Sequence, residues 1–383
     1  MPRFLHSSDL HLGKPFGQLP AELAGRLTEA RQDAIGRLAA AARDAGAAHI
    51  LLAGDTWDSE APSDRVLRHA LEAMAAESGI HWYLLPGNHD RLREGGLWER
   101  IAADCPANLH LLLDEAPVPF GEDAVLLPTP CRSRDPGRDV SAWMDGAASP
   151  EGLLRIGIAH GSVVDFTAED ARATSAAIDP ARARRAGLAY LALGDWHGCL
   201  RIDARTWYAG SPEPDRFRED ASPGTALSVA TESAEAVTVE RLPIARFTWL
   251  QARATLRPGE PPAPALAALL PGGVARRDLL LALRLAGRAP LAEREAWAQA
   301  VEALAPSLAH CVADFSAVET LVEPEDLDRI DRAGALRVAA EALAAEADND
   351  ALEPDRRAAA RDALRLLYSW SVEDTPDAAA SGQ

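Results

Sequence analysis

The stretch Arg3-Phe4-Leu5-His6-Ser7-Ser8-Asp9-Leu10-His11-Leu12-Gly13 runs from a short apolar segment straight into an acid and an imidazole one residue apart. The same order, an apolar run and then ligand-type side chains beside glycine, returns four times. His49 to Ala53 precedes Gly54-Asp55-Thr56-Trp57-Asp58, and Ile80 to Leu85 precedes Gly87-Asn88-His89-Asp90. Leu153 to His160 ends on His160-Gly161, and Leu188 to Leu193 precedes Gly194-Asp195-Trp196-His197-Gly198. Those runs read as buried strands. Between the first two, Leu23, Leu27, Ala30, Ala34 and Leu38 recur at helical spacing within Glu22 to Ala45, and Ser63 to Ala76 repeats the pattern. Alternating strand and helix predicts an α/β layered domain, and in such domains ligands sit at the carboxyl ends of the strands. Each polar cluster falls at such an end.

The clusters offer oxygen and imidazole donors without thiolates, a set suited to Mn, Fe, Zn or Mg rather than to copper(I) or an iron-sulfur cluster. Asp9 and His11, read as extended chain, present their side chains on one face, and the neighbouring glycines allow close approach of backbone and metal. A carboxylate such as Asp55 can bridge two ions about 3.5 to 4 Å apart, the spacing that clamps both the attacking and the leaving oxygen in phosphoryl transfer. Taken singly, each cluster is also what a turn is made of. Taken together, so many carboxylates and imidazoles are too costly to bury without a cation.

At 383 residues the chain has room for two to three domains of about 150 residues. Its 48% hydrophobic and 25% charged content is that of ordinary globular domains, and no run reaches the roughly 18 apolar residues of a membrane span. Met1 to Gly13 lacks the features of a signal or transit peptide, so a soluble, cytoplasmic protein with no membrane association is expected. Cys105, Cys131, Cys199 and Cys311 form no CxxC pair and read as reduced structural thiols. The net charge of −19 argues against a generic polyanion-binding surface. It is unevenly spread: residues 251–300 hold seven Arg against four acids, residues 301–383 seven Arg against eighteen. Lys14 is the only lysine, and Gly13-Lys14-Pro15 lacks the remainder of a Walker A loop, which excludes a P-loop ATPase.

Four segments are expected: 1–243 for the site-bearing domain, 244–322 for a small α/β module, 323–371 for C-terminal helices and 372–383 for a disordered tail. The module restarts with a strand Phe247 to Leu256 and a break at Pro258 to Pro264, followed by a helix near Ala265 to Leu270 and a strand Asp278 to Leu285. A helix Leu291 to Leu304 and a strand His310 to Phe315 complete it, and Pro324 to Ala345 and Pro354 to Trp370 read as two further helices.

The order DxH, GDxxD, GNHD, HG, GxxH over residues 1 to about 243 resembles the calcineurin-like metallophosphoesterases. Ser8-Asp9-Leu10-His11-Leu12-Gly13 and Tyr208-Ala209-Gly210-Ser211-Pro212 look like the SbcD-type nuclease subunits of DNA double-strand-break repair exonucleases. The resemblance implies a layered β-sandwich flanked by helices, with the small module as a cap. It implies one metal on Asp9, His11, Asp55 and His197 and a second on Asp55, Asn88, His160 and Asp195. His89 is then the residue that stabilises or protonates the transition state, with Asp90 orienting it. Where the family usually has GHxH, this chain has Gly194-Asp195-Trp196-His197. With Asp9, Asp55 and Asp195 the site carries three carboxylates, which favours Mn over Zn, with Mg or Fe as further candidates.

The expected function is that of a Mn-dependent DNA exonuclease or endonuclease subunit in DNA repair. The alternatives are a phosphodiesterase for a small or cyclic nucleotide and a non-catalytic scaffold with a weakened second metal. Asp58-Ser59-Glu60 argues against the protein-phosphatase branch, which continues with Arg-Gly. Arg253, Arg257, Arg276 and Arg277 are candidate DNA-phosphate contacts, and Lys14, Arg91 and Arg93 could reach a substrate phosphate beside the motif loops. The resemblance also implies an SMC-like coiled-coil ATPase partner held by the C-terminal helices, with a homodimer as one assembly to test.

Overall fold

A computed structural model of the chain describes residues 2–133, 138–163, 177–217, 224–233, 235–257, 259–321, 324–330 and 334–373. Of the segment read as a disordered tail, residues 374–383 lie outside this set. The chain divides into two compact units, Met1–Thr248 and Trp249–Gln383.

In the first unit, one six-stranded sheet runs in the order β14 (Val237–Pro243), β13 (Thr225–Thr231), β1 (Arg3–Ser7), β2 (His49–Leu52), β3 (His81–Leu84), β4 (Leu109–Leu111). β1 to β4 are parallel neighbours, as the short apolar runs separated by helices require, and β13 joins β1 antiparallel. The second sheet runs β11 (Leu200–Arg201), β12 (Thr206–Tyr208), β10 (Tyr190–Gly194), β7 (Leu154–His160), β6 (Ala124–Thr129), β5 (Val118–Phe120), with β6, β7, β10 and β12 parallel. A two-stranded ribbon pairs β8 (Ser162–Val163) with β9 (Ala177–Ile178). The unit's helices are α1 (Ala21–Asp44), α2 (Asp64–Ala76), α3 (Leu97–Ala103) and α4 (Arg182–Arg185).

Period-two alternation sorts the strand residues into layers. Ile50, Leu52, Trp82 and Leu84 face Leu38, Ala42, Leu67 and Met74 of α1 and α2. Their neighbours Leu51 and Tyr83 join Phe4, Phe120, Leu126, Ile156, Ile158 and Tyr190 between the sheets. Leu127, Ala159, Leu191 and Leu193 pack outward against Met144, Ala183 and Leu188. The result is the layered α/β arrangement of a metallophosphoesterase fold, with two sheets face to face and helical layers outside. Ser63 caps α2 by accepting from the Val66 N–H at 3.3 Å.

The second unit is built on a three-stranded sheet, β15 (Thr248–Leu256), β16 (Leu279–Pro290), β17 (His310–Leu321), with β16 and β17 parallel. Leu279, Leu281, Leu283 and Leu285 alternate along β16 and pack with Leu266 of α5 (Pro262–Leu269) and Trp297 and Val301 of α6 (Leu291–Leu304). Among its described residues the C-terminal region holds three helices, α7 (Pro324–Ile330), α8 (Ala335–Ala347) and α9 (Pro354–Glu373), where the sequence predicts two. The expected long helix Pro324 to Ala345 is interrupted at Gly334, whose extended backbone precedes α8, and residues 331–333 lie outside the described residues. Leu364 and Tyr368 of α9 pack on Leu291, Ile330 and Ala340. No helix among the described residues is long and apolar enough to cross a membrane.

Candidate metal centre

The chain leaves β1, β2, β3, β7 and β10 at one end of the sandwich, and these exits carry Asp9, Asp55, Asn88, His160 and Asp195. Asp9, His11, Asp55 and His160 are each 2% exposed or less. Two triads of donor atoms converge at the exits, Asp9-His11-His197 and Asp9-Asp55-His160, and a third, His11-Asp58-His89, flanks them. His11 Nε2 lies 3.2 Å from His197 Nε2 and 3.7 Å from Asp55 Oδ2. His160 Nε2 lies 3.5 Å from Asp55 Oδ2 and 3.8 Å from Asp195 Oδ1. The Asn88 amide donates to Asp195 Oδ1 at 2.9 Å, which leaves its carbonyl oxygen as the atom for a hard cation.

The backbone is bent to bring these groups together. Asp9, His11, Asp55 and Asp195, with φ of 54°, 45°, 52° and 102°, are the non-glycine residues in the left-handed region among the described residues. The expectation that Asp9 and His11 share a face as extended chain is therefore corrected. The chain turns at both residues, and Asp9 N–H to Gly54 carbonyl and His11 N–H to Asp55 carbonyl bonds of 3.1 and 3.0 Å hold the turn. Strain concentrated on four candidate ligands is the mark of a built site. Two glycines of the motifs act sterically. A Cβ on Gly54 would collide with the His160 ring, and one on Gly87 with the Asp55 carboxylate.

The donors fit a cation. His160 donates from Nδ1 to the Ala53 carbonyl at 2.8 Å, which turns Nε2, a buried atom with no hydrogen-bond partner, toward two carboxylates. Carboxylates so placed repel unless positive charge lies between them. Although burial lowers His160, Asp55, Asp9 and Asp195 outweigh it and raise the ring well above the ordinary histidine range. Asp55 is pushed up by burial, yet His160 and His11 and the His89 N–H hold it well below the carboxylate range. Burial and the charge of Asp55 push Asp90 up to about 7.

Around this cluster, Asp90 accepts from the Gly87 and Trp57 N–H groups at 2.6 and 3.1 Å and so secures the loop that carries His89. The His89 ring meets a different partner: Nδ1 donates to the Asp58 carbonyl at 3.0 Å. Arg91 and Arg93 are engaged by Glu60 at 2.8 and 2.9 Å. Arg253, Arg257, Arg276 and Arg277 belong to the second unit, on or after β15 and in a short turn before β16, and all four are exposed. Ser162, whose hydroxyl donates to Asp195 at 2.9 Å, and the buried Asp215, 3.7 Å from His197, escaped the sequence reading because neither lies in a motif. A cavity of about 260 Å³ adjoins His160, lined among others by Thr129, Cys131, Arg132 and Arg138.

Parallel strands that deliver carboxylates and imidazoles to one sheet end build a cluster of donors suited to a divalent cation. Residues 2–179, a little under half of the chain, match the family model described as calcineurin-like phosphoesterase, a family that uses divalent metals. Two crystal structures are similar over 63% of this chain and 99% of theirs: TT1561 of Thermus thermophilus, at 12% identity and a TM-score of 0.41, and a second at 13% and 0.39. No curated protein matches the chain.

Proposed function

We propose that this protein is a two-metal phosphodiesterase acting on DNA, a Mn-dependent nuclease subunit. The observation that carries the metal reading is the placing of backbone strain on Asp9, His11, Asp55 and Asp195 around the buried Nε2 of His160, which faces two carboxylates. Asp9, His11, Asp55 and His197 would hold one ion, and Asp55, Asn88, His160 and Asp195 the other. Three carboxylates favour Mn over Zn in that pair of sites. Bound divalent ions supply positive charge against the non-bridging phosphoryl oxygens and acidify the attacking water.

The protein's own groups do the rest. The Asp58 carbonyl fixes the His89 proton on Nδ1, so that Nε2 is the ring atom that meets the substrate and, when protonated, donates to the departing oxygen. Asp90 keeps the loop under His89 in place through two backbone N–H groups. Trp196, 40% exposed between Asp195 and His197, offers a face for stacking a nucleobase, an interaction of about 1–3 kcal/mol per base. The Tyr208 to Pro212 motif favours the nuclease branch by resemblance. Leu336 and Val338 of α8 and Trp370 of α9 are exposed apolar side chains, which suits an apolar partner such as the coiled coil of an SMC-like ATPase.

The test is Mn-dependent hydrolysis of end-labelled duplex and single-stranded DNA by the wild type and Asp55→Asn, with bis(p-nitrophenyl) phosphate as a small diester. Cleavage of DNA by the wild type alone is expected, with a loss of at least about 100-fold in the variant. Turnover of the small diester without DNA cleavage moves the assignment to a nucleotide phosphodiesterase.

A further inference from the structure

Lys14 is the only lysine in a chain with 39 basic residues, and it stands behind the metal centre. Its Nζ lies 2.7 Å from Asp215 Oδ2 and 4.0 Å from Asp58 Oδ1. Each of these carboxylates faces the outer nitrogen of a candidate ligand. Asp58 Oδ1 is 3.2 Å from His11 Nδ1, and Asp215 Oδ2 is 3.7 Å from His197 Nδ1. The approach is electrostatic rather than a well-directed hydrogen bond. The inner nitrogens of the same two rings converge, Nε2 to Nε2 at 3.2 Å, and lie 4.0 and 3.9 Å from Asp9 Oδ1. Two imidazoles therefore point at one spot, each with a carboxylate at its back, and a single ammonium pairs with Asp215 and lies 4.0 Å from Asp58.

We propose that Lys14, Asp58 and Asp215 form an outer layer, one ammonium against two carboxylates, that positions the His11–His197 pair for a divalent ion, and that Lys14 is a positioning residue and not a phosphate contact. The inference rests on the metal reading above. A neutral imidazole that ligates through Nε2 must carry its proton on Nδ1, and a carboxylate near Nδ1 favours that tautomer and orients the ring by charge. Two such carboxylates beside Asp9 and Asp55 would crowd the centre with negative charge, and Asp215 is almost fully buried. A compact ammonium on a flexible stem fits between two carboxylates that are not coplanar, where the planar fork of arginine pairs best with one. That difference accounts for a lysine at this position in a protein that otherwise uses arginine throughout. Asp215 is further held by Arg216, whose Nε is 3.1 Å from Oδ1. Asp58 has a second duty, since its carbonyl accepts from His89. The layer thus connects the imidazole pair to the ring that faces the substrate.

The test uses the full chain and Mn²⁺ itself. Isothermal titration calorimetry and Mn²⁺ electron paramagnetic resonance are run on the wild type, Lys14→Met, Asp215→Asn and the double variant, with urea unfolding of the metal-free proteins as a control for folding. Lys14→Met is expected to weaken one of two Mn²⁺ sites by about 10- to 100-fold and to leave the other unchanged. Asp215→Asn should weaken the same site, and the double variant should be no worse than the poorer single, because both act through one layer. Wild-type affinity at both sites in Lys14→Met, together with a raised KM for the diester, overturns the proposal and makes Lys14 a phosphate contact. Additive losses in the double variant also overturn it. If Lys14→Met does not fold, unchanged Mn²⁺ binding by Asp215→Asn is the overturning result. A wild type that binds no Mn²⁺ rejects the metal reading itself, which is a different failure.

Discussion

His6 sits on β1 three residues before the first ligand, fully buried, between the Tyr190 hydroxyl at 3.0 Å from Nδ1 and the Leu193 carbonyl at 3.1 Å from Nε2. A carbonyl only accepts, so Nε2 carries the proton and Nδ1 accepts from tyrosine: the pocket is satisfied by the neutral ring. Burial pushes the ring down to about 3, against a small opposing effect of the Leu193 carbonyl. The unfolded chain then binds a proton below about 6.5 that the folded chain refuses until about 3. Stability from this residue is complete above pH 6.5 and is lost on acidification at roughly 1.4 kcal/mol per pH unit. Urea unfolding of the wild type and His6→Gln between pH 7 and 4 is the check, with the variant less stable at pH 7 and its slope in this window shallower by about that amount. Equal slopes would mean that His6 is not held neutral. The candidate ligands could be named from the sequence because Asp9, Asp55, Asn88, His160 and Asp195 each follow an apolar run. Asp215 and Ser162 were not, since only folding brings them to the centre. The left-handed turns at Asp9 and His11 were hidden for a related reason: they are imposed by hydrogen bonds to Gly54 and Asp55, distant in sequence.

Among elements, those buried on both faces announce themselves as apolar runs, and β1, β2, β3, β7 and β10 were readable to within two residues at either end. β13 and β14 were not, because Thr225–Thr231 is rich in small side chains and Val237–Pro243 lies half exposed at a sheet edge, where periodicity fades. The division between α7 and α8 shows the converse limit. Leu327, Ile330, Leu336 and Leu343 keep helical spacing across residues 331–334, yet Leu336 is exposed while Leu327, Ile330 and Leu343 join the cluster around α9. A pattern that continues in sequence need not continue on one rod. In that cluster Leu364 is 1% exposed and packs among Leu291, Ile330, Ala340 and Tyr368. Leu364→Ala removes this contact and leaves a cavity, at a cost of about 2–5 kcal/mol to the second unit. Urea unfolding followed by tryptophan fluorescence should show that loss, while Mn²⁺ binding stays at the wild-type level. A smaller loss would mean that the three helices close over the gap.

For the whole molecule, each of the hydrophobic clusters described above lies within one unit. Those built on the two six-stranded sheets draw on residues 4–244, and those of the second unit on residues 250–368. The metal ligands proposed above, and the outer layer of Lys14, Asp58 and Asp215, all fall in Met1–Thr248. A fragment of about 250 residues is well within the size that supports its own core. It keeps a net charge of −11 out of the chain's −19, enough to stay soluble when excised. Residues 1–248 expressed alone are therefore expected to unfold cooperatively in urea and to bind Mn²⁺ with the affinity and stoichiometry of the full chain. The same fragment should hydrolyse bis(p-nitrophenyl) phosphate, since the chemistry needs only groups it contains. Cleavage of DNA is the activity that should fall, because the Arg-rich strands and turns around Arg253, Arg257, Arg276 and Arg277 and the helices exposing Leu336 and Trp370 are removed with the second unit. If DNA and the small diester are cleaved by the fragment as by the full chain, those arginines are solvated surface and the first unit alone recognises its substrate. If the fragment folds but binds no Mn²⁺, the centre draws on the second unit, and the assignment of its ligands to the first must be redrawn.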